Sequence, residues 1–309
     1  MEERKPAACT KGETMVSSPH PLDHLVLPTV NIAMARERLG KLGFTVAADA
    51  RHPFGTENAC VFFSDKTYLE PLGVASQEQY ETSIEEGNVF VARDQAYRFR
   101  IGGEGFSAIV LGTKDAAADD KRFLANAMSA GRMLNFERPM RMPDGSETIA
   151  GFRLAFAADL RSPDFYAFCA QRINPLPADR DALERHANGV TGIARVALST
   201  PKPAVFRGFF ERIADGSKIS EHSFGLTIET ANARIEVLTP QGMEAFYDFP
   251  VPTVDPGLRA RAILFKTRDL SVTSSHLAAN GVTYTRKNNR ILAKPAPGQG
   301  ALFAFEEIA

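Results

Sequence analysis

Four charged or titratable side chains sit where their neighbours would not predict them. His24 interrupts the apolar run LDHLVL (22–27), and Glu70 is flanked by Tyr68, Leu69, Pro71 and Leu72 in YLEPL. Arg153 falls inside GFRLAF, and His52 lies on the Gly/Pro loop ARHPFGTEN. An imidazole on a half-buried strand is either a satisfied core residue or one corner of a site. A carboxylate among apolar neighbours is costly to bury alone, so Glu70 either meets a cation or turns to solvent. Arg153 either clamps a substrate carboxylate or phosphate or pairs with a neighbouring acid, because a guanidinium fork suits both. His52, at a loop rim, either contacts a ligand or does nothing. His186 in RHANG bridges or caps two halves, while His20, His222 and His276 have no partner spacing. No Walker-type loop, GxSxG elbow or GxGxxG between strand and helix is present. GGEGF (102–106) lacks the following helix.

The elements that position these residues recur. A short apolar strand, a polar cap, an amphipathic helix, a Gly turn and two or three strands appear four times. The first copy has strand LDHLVL, a cap near Asn31, helix IAMARERLGKL, a stop at Gly43, then NACVFF and TYLEPL. The second opens with FSAIVL (106–111), caps at Asp115, carries AAADDKRFLANAMSA, and closes at Gly131. It ends in strands around ERPMRM, TIAGFRLAF and FYAFCAQR. The third opens with IARVAL (193–198), has helix AVFRGFFERIA, turns at Gly216, and ends in SFGLTIET and RIEVLT. The fourth opens with ARAILF (260–265), caps at Asp269, turns at Gly281, and ends in RILAK and ALFAFEEI. Such a unit makes a small mixed sheet with a helix on its convex face and a concave face left open. The pattern predicts an α+β protein of four βαβββ modules, paired into two domains with curved mixed sheets and helices outside. Residues 1–19 read as a disordered leader, with Met1 or Met15 as start. The first domain spans 20–173, a polar Pro-bearing linker 174–188, and the second domain 189–309.

Charge is nearly balanced in these 309 residues, 36 basic against 37 acidic, so neither nucleic acid nor an anionic membrane surface is the expected partner. No apolar run is long enough to span a bilayer, and the N-terminus has no apolar signal segment. Cys9, Cys60 and Cys169 form no zinc spacing, which predicts a reduced, cytoplasmic protein with Cys60 and Cys169 as small buried hydrophobes.

The βαβββ repeat with a histidine in the first strand and a glutamate in the last strand of its first copy resembles the vicinal oxygen chelate superfamily. The segments LDHLVL, FGTENACVFFSDKTYLEPLG and RHANGVTGIARVAL resemble its glyoxalase-like domain proteins. The resemblance implies two glyoxalase-like domains and a metal in a cleft between paired modules, held by first and last strands. Aligning Leu27 with Leu111, Leu198 and Phe265 sets His24 against Ala108, Arg195 and Ala262. Glu70 then matches Gln171, Glu236 and, less directly, Glu306. The N-terminal cleft therefore offers His24, Glu70 and Gln171 as metal ligands, with Glu70 and Gln171 as catalytic groups. Asn58, Phe62, Tyr68, Arg153 and His52 would line the substrate. In the C-terminal cleft Arg195 facing Glu236 implies an ion pair filling a dead site.

An imidazole, a carboxylate and an amide oxygen suit divalent Zn, Mn, Fe, Ni or Co with positions open to substrate. Chelation of two neighbouring oxygens would stabilise an enolate or similar oxyanion, which implies lyase or isomerase chemistry on a small oxygenated metabolite. Ala108 argues against glyoxalase I, which needs four protein ligands, and the missing second histidine argues against extradiol ring cleavage. The alternative is a metal-free protein sequestering an apolar or aromatic ligand, favoured by 22 Phe with Phe54, Phe62, Phe63 and Phe165 near the cleft. In either case the C-terminal half is available for homodimerisation.

Overall fold

The computed structural model describes residues 18–141, 147–174, 181–254 and 257–308. Most of the expected leader and residues 175–180 of the expected linker lie outside them.

The first half contains β1 (Leu22–Pro28), α1 (Ile32–Lys41), β2 (Ala50–Arg51), β3 (Thr56–Asn58), β4 (Val61–Phe62), β5 (Tyr68–Val74), α2 (Gln77–Glu85) and α3 (Val89–Ile101). It continues with β6 (Ala108–Gly112), α4 (Ala116–Ala125), β7 (Leu134–Arg141), β8 (Glu147–Ala158) and β9 (Tyr166–Arg172). The strands form one sheet in the order β2-β3-β5-β1-β6-β9-β8-β7, with β4 paired to β5. The second half repeats the plan with β10 (Val190–Ser199), a 3-10 turn (Pro203–Phe206), α5 (Arg207–Ile213), β11 (Lys218–His222), β12 (Gly225–Glu229), β13 (Arg234–Leu238) and α6 (Pro240–Tyr247). Its last module is β14 (Arg259–Thr267), α7 (Leu270–Ala279), β15 (Thr285–Lys287), β16 (Arg290–Ala293) and β17 (Leu302–Glu307). These strands order as β11-β12-β13-β10-β14-β17-β16-β15. In both halves the opening strands of the two modules pair antiparallel at the centre, and each opening strand pairs parallel with the last strand of its own module. The α+β architecture of four paired modules is the one the repeat predicts.

Local chemistry explains the helix starts and stops. Asn31 accepts from the Ala33 and Met34 amides, Asp115 from Ala118, and Asp269 from Ser271. Gly43 and Gly281 take φ of +91° and +65° at the two helix ends twelve residues past their caps. At Gly43 a Cβ would also lie 2.6 Å from the His276 ring. The second helix is shorter than AAADDKRFLANAMSA suggests. It ends at Ala125, Ala127 turns at φ +52°, and Ser129 bridges to Ala157 as sheet structure.

The convex faces do not face solvent separately. Residues of both sheets and of α1, α4, α5 and α7 share one apolar cluster, from Leu22 and Phe44 to Phe303 and Phe305. The Phe44 ring packs on Phe63, Phe265 and Phe303 at 5.2–6.1 Å. Ser64 donates to the Thr191 carbonyl, and Lys266 meets Asp65 at 2.9 Å. Phe63 and Phe165 belong to this core rather than to the cleft, because strand alternation turns them to the opposite face.

The concave faces, expected to be open, are covered by inserts outside the repeat. Helices α2 and α3 lie over the first sheet, where Phe90 and Val91 join Val26, Leu72, Val110 and Phe168. Buried Asp94 fixes this insert by accepting from Tyr80 Oη and Arg98 Nε, both at 2.7 Å. Arg98 also donates to the Thr29, Leu72 and Gly103 carbonyls. Helix α6 covers the second sheet in the same way.

His186 bridges the halves. The Thr45 amide donates to its Nδ1 at 3.0 Å, and its Nε2 donates to the Phe62 carbonyl at 2.9 Å, so the ring is a fixed neutral tautomer. Burial pushes its pKa down to about 4, opposed by the Phe62 carbonyl and Glu184. A depressed histidine stabilises the fold fully above the ordinary value near 6.5 and loses that contribution as pH falls toward 4. This is about 3 kcal/mol by linkage. Imidazole NMR resonances of His186 should remain those of the neutral ring at pH 5, and His186→Asn should make the pH 4–6.5 part of the stability curve shallower. Protonation near pH 6.5 in the folded protein would disprove the assignment.

Candidate active site

The site is built on the centre of the first sheet. His24 on β1 pairs with Tyr68 of β5 on one side and Val110 of β6 on the other. Between Leu22 and His24 the β1–β6 register shifts by one residue, a bulge at Asp23 that lets adjacent residues serve the same site. An equivalent shift falls between Ile193 and Arg195 in the second half.

His24 and Glu70 are 5% and 6% exposed, and both are held on two sides. His24 Nδ1 meets Asp23 Oδ1 at 2.7 Å, and His24 Nε2 meets Glu70 Oε2 at 3.3 Å. Tyr68 stacks on the imidazole at 4.3 Å, and Phe168 meets it edge-on at 5.7 Å. Arg172 holds Asp23 from behind in a two-pronged contact of 2.5 and 2.8 Å. On the other flank Asn58 Nδ2 donates to Glu70 Oε1 at 2.7 Å. His52 Nε2 lies 3.3 Å from Asn58 Nδ2 and 3.8 Å from Glu70 Oε1, and its Nδ1 contacts Thr56 Oγ1 at 2.8 Å. With the amide donating to Nε2, His52 carries its proton on Nδ1.

The electrostatics follow from this chain. Burial alone would raise the Asp23 pKa, but Arg172 and His24 hold it down at about 2. Burial works against charge on His24, yet hydrogen bonds and charge from Asp23 and Glu70 raise its pKa. Burial likewise opposes ionised Glu70, which His24, His52 and Asn58 overcome to lower it. Burial, helped by Arg138 and His24 and opposed by Glu70, drives His52 down to about 4. Two carboxylates thus converge on one imidazole, and the one arginine in contact with them, Arg172, is on the far side of Asp23. The buried arrangement of His24 and Glu70 calls for a cation, either a proton on His24 or a metal ion in its place.

His24, Glu70, Asn58, Tyr68 and His52 come together, while Phe62 lies against Tyr68 at 5.3 Å. Gln171 does not join them. Its Oε1 accepts from the Ala116 amide and its Nε2 donates to the Lys114 carbonyl, so it ties down the start of α4 on the opposite face of β9. The pairing register gives the reason. His24 pairs with Tyr68 and Val26 with Glu70, whereas Ala108 pairs with Tyr166 and Val110 with Phe168. YAFCA therefore aligns on YLEPL through its tyrosine, and the residue equivalent to Glu70 is Phe168. By the same register Glu70 matches Glu236 in β13 and Ala304 in β17, not Glu306. Arg153 is exposed and pairs with Gln171 on the outer side of β8, so it cannot reach a ligand in the cleft.

In the second half Arg195 and Glu236 form the anticipated ion pair at 3.1 Å, and Tyr247 from α6 donates to Glu236 at 2.7 Å. Asp23 and Arg172 were not legible as site residues. Their available signals were the Asp-His adjacency and strand alternation, which turns Arg172 inward when Gln171 turns out. Gln171→Ala should leave bound metal unchanged in elemental analysis and cost about 1 kcal/mol in denaturant unfolding through the lost helix-start contacts. Loss of metal would restore Gln171 to the site.

A divalent metal fits His24 and Glu70 by donor chemistry: Asp23 fixes Nδ1 and leaves Nε2 facing a carboxylate, with neutral His52 on its far side. Among the described residues, the set of three His, Cys, Asp or Glu ligand atoms within 4.8 Å of one another is a different one: His20, Asp119 and Cys169. There Arg122 already contacts both Asp119 and His20, so a guanidinium supplies the positive charge.

Two curved sheets of paired βαβββ modules, with a histidine–carboxylate site at the centre of one, define a protein of the vicinal oxygen chelate fold. Residues 22–213 match the family model described as glyoxalase-like domain, and the chain belongs to that family. A search of curated proteins returned no match. Similar solved structures include a hypothetical protein from Staphylococcus aureus, 12% identical with TM-score 0.63 over 93% of this chain and 99% of that one. A mutant 4-hydroxymandelate synthase from Streptomyces coelicolor is 14% identical with TM-score 0.59, over 94% and 92% of the two chains. An Mn(II)-bound glyoxalase from Novosphingobium aromaticivorans is 10% identical with TM-score 0.51, over 93% and 82%. At these identities the likeness concerns the fold.

Proposed function

We propose that the protein is a divalent-metal-dependent enzyme of the vicinal oxygen chelate type, acting on a small oxygenated metabolite by lyase or isomerase chemistry. The observation that carries this reading is the buried approach of His24 Nε2 and Glu70 Oε2 to 3.3 Å, each backed by its own hydrogen-bonding partner. His24 and Glu70 would hold the metal, which when bound supplies electrophilic stabilisation of a substrate oxyanion. Asp23 orients His24, and Arg172 keeps Asp23 ionised. Asn58 aims the Glu70 carboxylate, leaving it able to take up or return a proton beside the substrate. Tyr68, Phe168 and Phe54 supply apolar walls that exclude water. Two protein ligands leave more positions free than a four-ligand site, which suits bidentate chelation. A cytoplasmic location and a homodimer belong to the same proposal. Among the described residues no helix is long and apolar enough to cross a membrane.

Elemental analysis of the purified protein, before and after incubation with Mn, Fe, Co, Ni and Zn, tests the reading. Near-stoichiometric metal that enables turnover in a substrate screen is the expected result. A chain that takes up no metal would sink it in favour of a metal-free small-molecule binder on the same fold.

A further inference from the structure

We infer that Arg138 is the anchor for a substrate carboxylate, in a cavity bordered by His52, whose hydrogen-bond chain through Asn58 ends at Glu70. Arg138 sits on β7 two residues beyond Phe136, whose ring packs on His52 at 5.9 Å and Phe54 at 5.2 Å. Alternation puts Leu134, Phe136 and Arg138 on the same concave side. The Arg138 Nε is buried without a hydrogen-bond partner, and among the described residues its guanidinium makes no ion pair. Other arginines on the concave faces have acids: Arg172 has Asp23, Arg195 has Glu236, and Arg290 has Glu306. An unpartnered buried donor on a cation is costly, so its retention calls for a ligand that is present only part of the time.

The space for that ligand is visible. A cavity of about 320 Å³ is lined by His52, Arg138, Ser76, Gln79, Pro53 and Pro139, among others. That is the small end of the range for ligand clefts, roughly 300–1,000 Å³. Ser76 caps α2, so the positive end of that helix borders the same cavity and adds to the attraction for an anion. Glu137 also borders it but turns to the other side of β7, against Gly151. His52, on the cavity wall, is hydrogen-bonded through Asn58 to Glu70. A planar monoanion matches the guanidinium fork, and a short molecule so anchored would present its other end toward His52. The last step rests on the function proposed above, but anion binding itself needs no metal.

The test is calorimetric titration of the wild type, Arg138→Met and Glu70→Gln with benzoate, benzamide and phenyl phosphate. The wild type should prefer benzoate to benzamide by ~10-fold or more, as a hydrogen-bonded charge pair gives. Arg138→Met should erase that preference while benzamide affinity and metal content stay unchanged. Glu70→Gln should keep the preference, which separates this anchor from carboxylate binding to a metal. Equal affinities in the wild type, or a preference that survives Arg138→Met, overturns the assignment. Phenyl phosphate binding tighter than benzoate through Arg138 overturns the choice of carboxylate. A protein that holds no metal yet keeps the Arg138-dependent preference refutes the enzyme reading and leaves this one standing.

Discussion

His24→Ala and Glu70→Ala should each lower affinity for divalent metal by more than ~100-fold, leaving under a tenth of the wild-type content after dialysis. Loss of a partner that merely orients a ligand already costs about 10–100-fold, and removing one of two protein ligands must cost more. The two variants should not behave alike in stability. Without its imidazole, Glu70 keeps the Asn58 amide but loses its nearest cation, so His24→Ala leaves a buried carboxylate with only His52 nearby. Without Glu70, His24 still has Asp23, and the strand loses one buried charge. Elemental analysis alongside denaturant unfolding separates the effects. Metal retained by both variants would place the ion elsewhere in the chain, or return His24 and Glu70 to a structural ion pair.

Asp23→Ala should be the most damaging single change to the fold around the site, at about 3–5 kcal/mol. It strands Arg172 without its two-pronged partner and leaves His24 Nδ1 unsatisfied. Combining it with Arg172→Met should restore much of the stability but not the orientation of His24. The double-mutant cycle should therefore show strong coupling while metal affinity stays reduced. Independent effects of the two substitutions would show that the contact contributes little. The pH dependence has a definite sign. Asp23 falls from its ordinary value near 3.8 to about 2 on folding, so its contribution is complete above pH 4 and lost as pH falls toward 2. The amount is about 2 kcal/mol, and the acid limb should be shallower in the double variant.

Most of the architecture was legible because it is periodic. Caps at Asn31, Asp115 and Asp269, glycine stops at 43 and 281, and four apolar opening strands fix the modules through local chemistry alone. The inserts α2, α3 and α6 stand outside the repeat, and their starts at Ser76, Asn88 and Thr239 are ordinary cap residues with nothing to say what they cover. They decide that the concave faces are closed, and that Phe90 rather than Phe165 belongs to the cleft.

By itself the sequence determined the four-module plan, the central place of His24 and Glu70, and the Arg195–Glu236 pair in the second half. The module plan follows from spacing, where strand period and helix length leave little freedom, whereas the places of His24, Glu70 and the Arg195–Glu236 pair came from the family resemblance and the alignment of the modules on one another. Tertiary structure alone decided the rest. The register of β6 against β9 put Phe168 where Gln171 was expected, and an odd offset along a strand, here of three residues, sends a side chain to the other face. A bulge brought Asp23 to His24, and the far end of β9 brought Arg172 to Asp23 across 149 residues. The hairpin of β7 and β8 turned Arg153 outward and Arg138 inward. Such contacts depend on how separate strands align, and hydrophobic pattern within one strand carries no record of its partner's register.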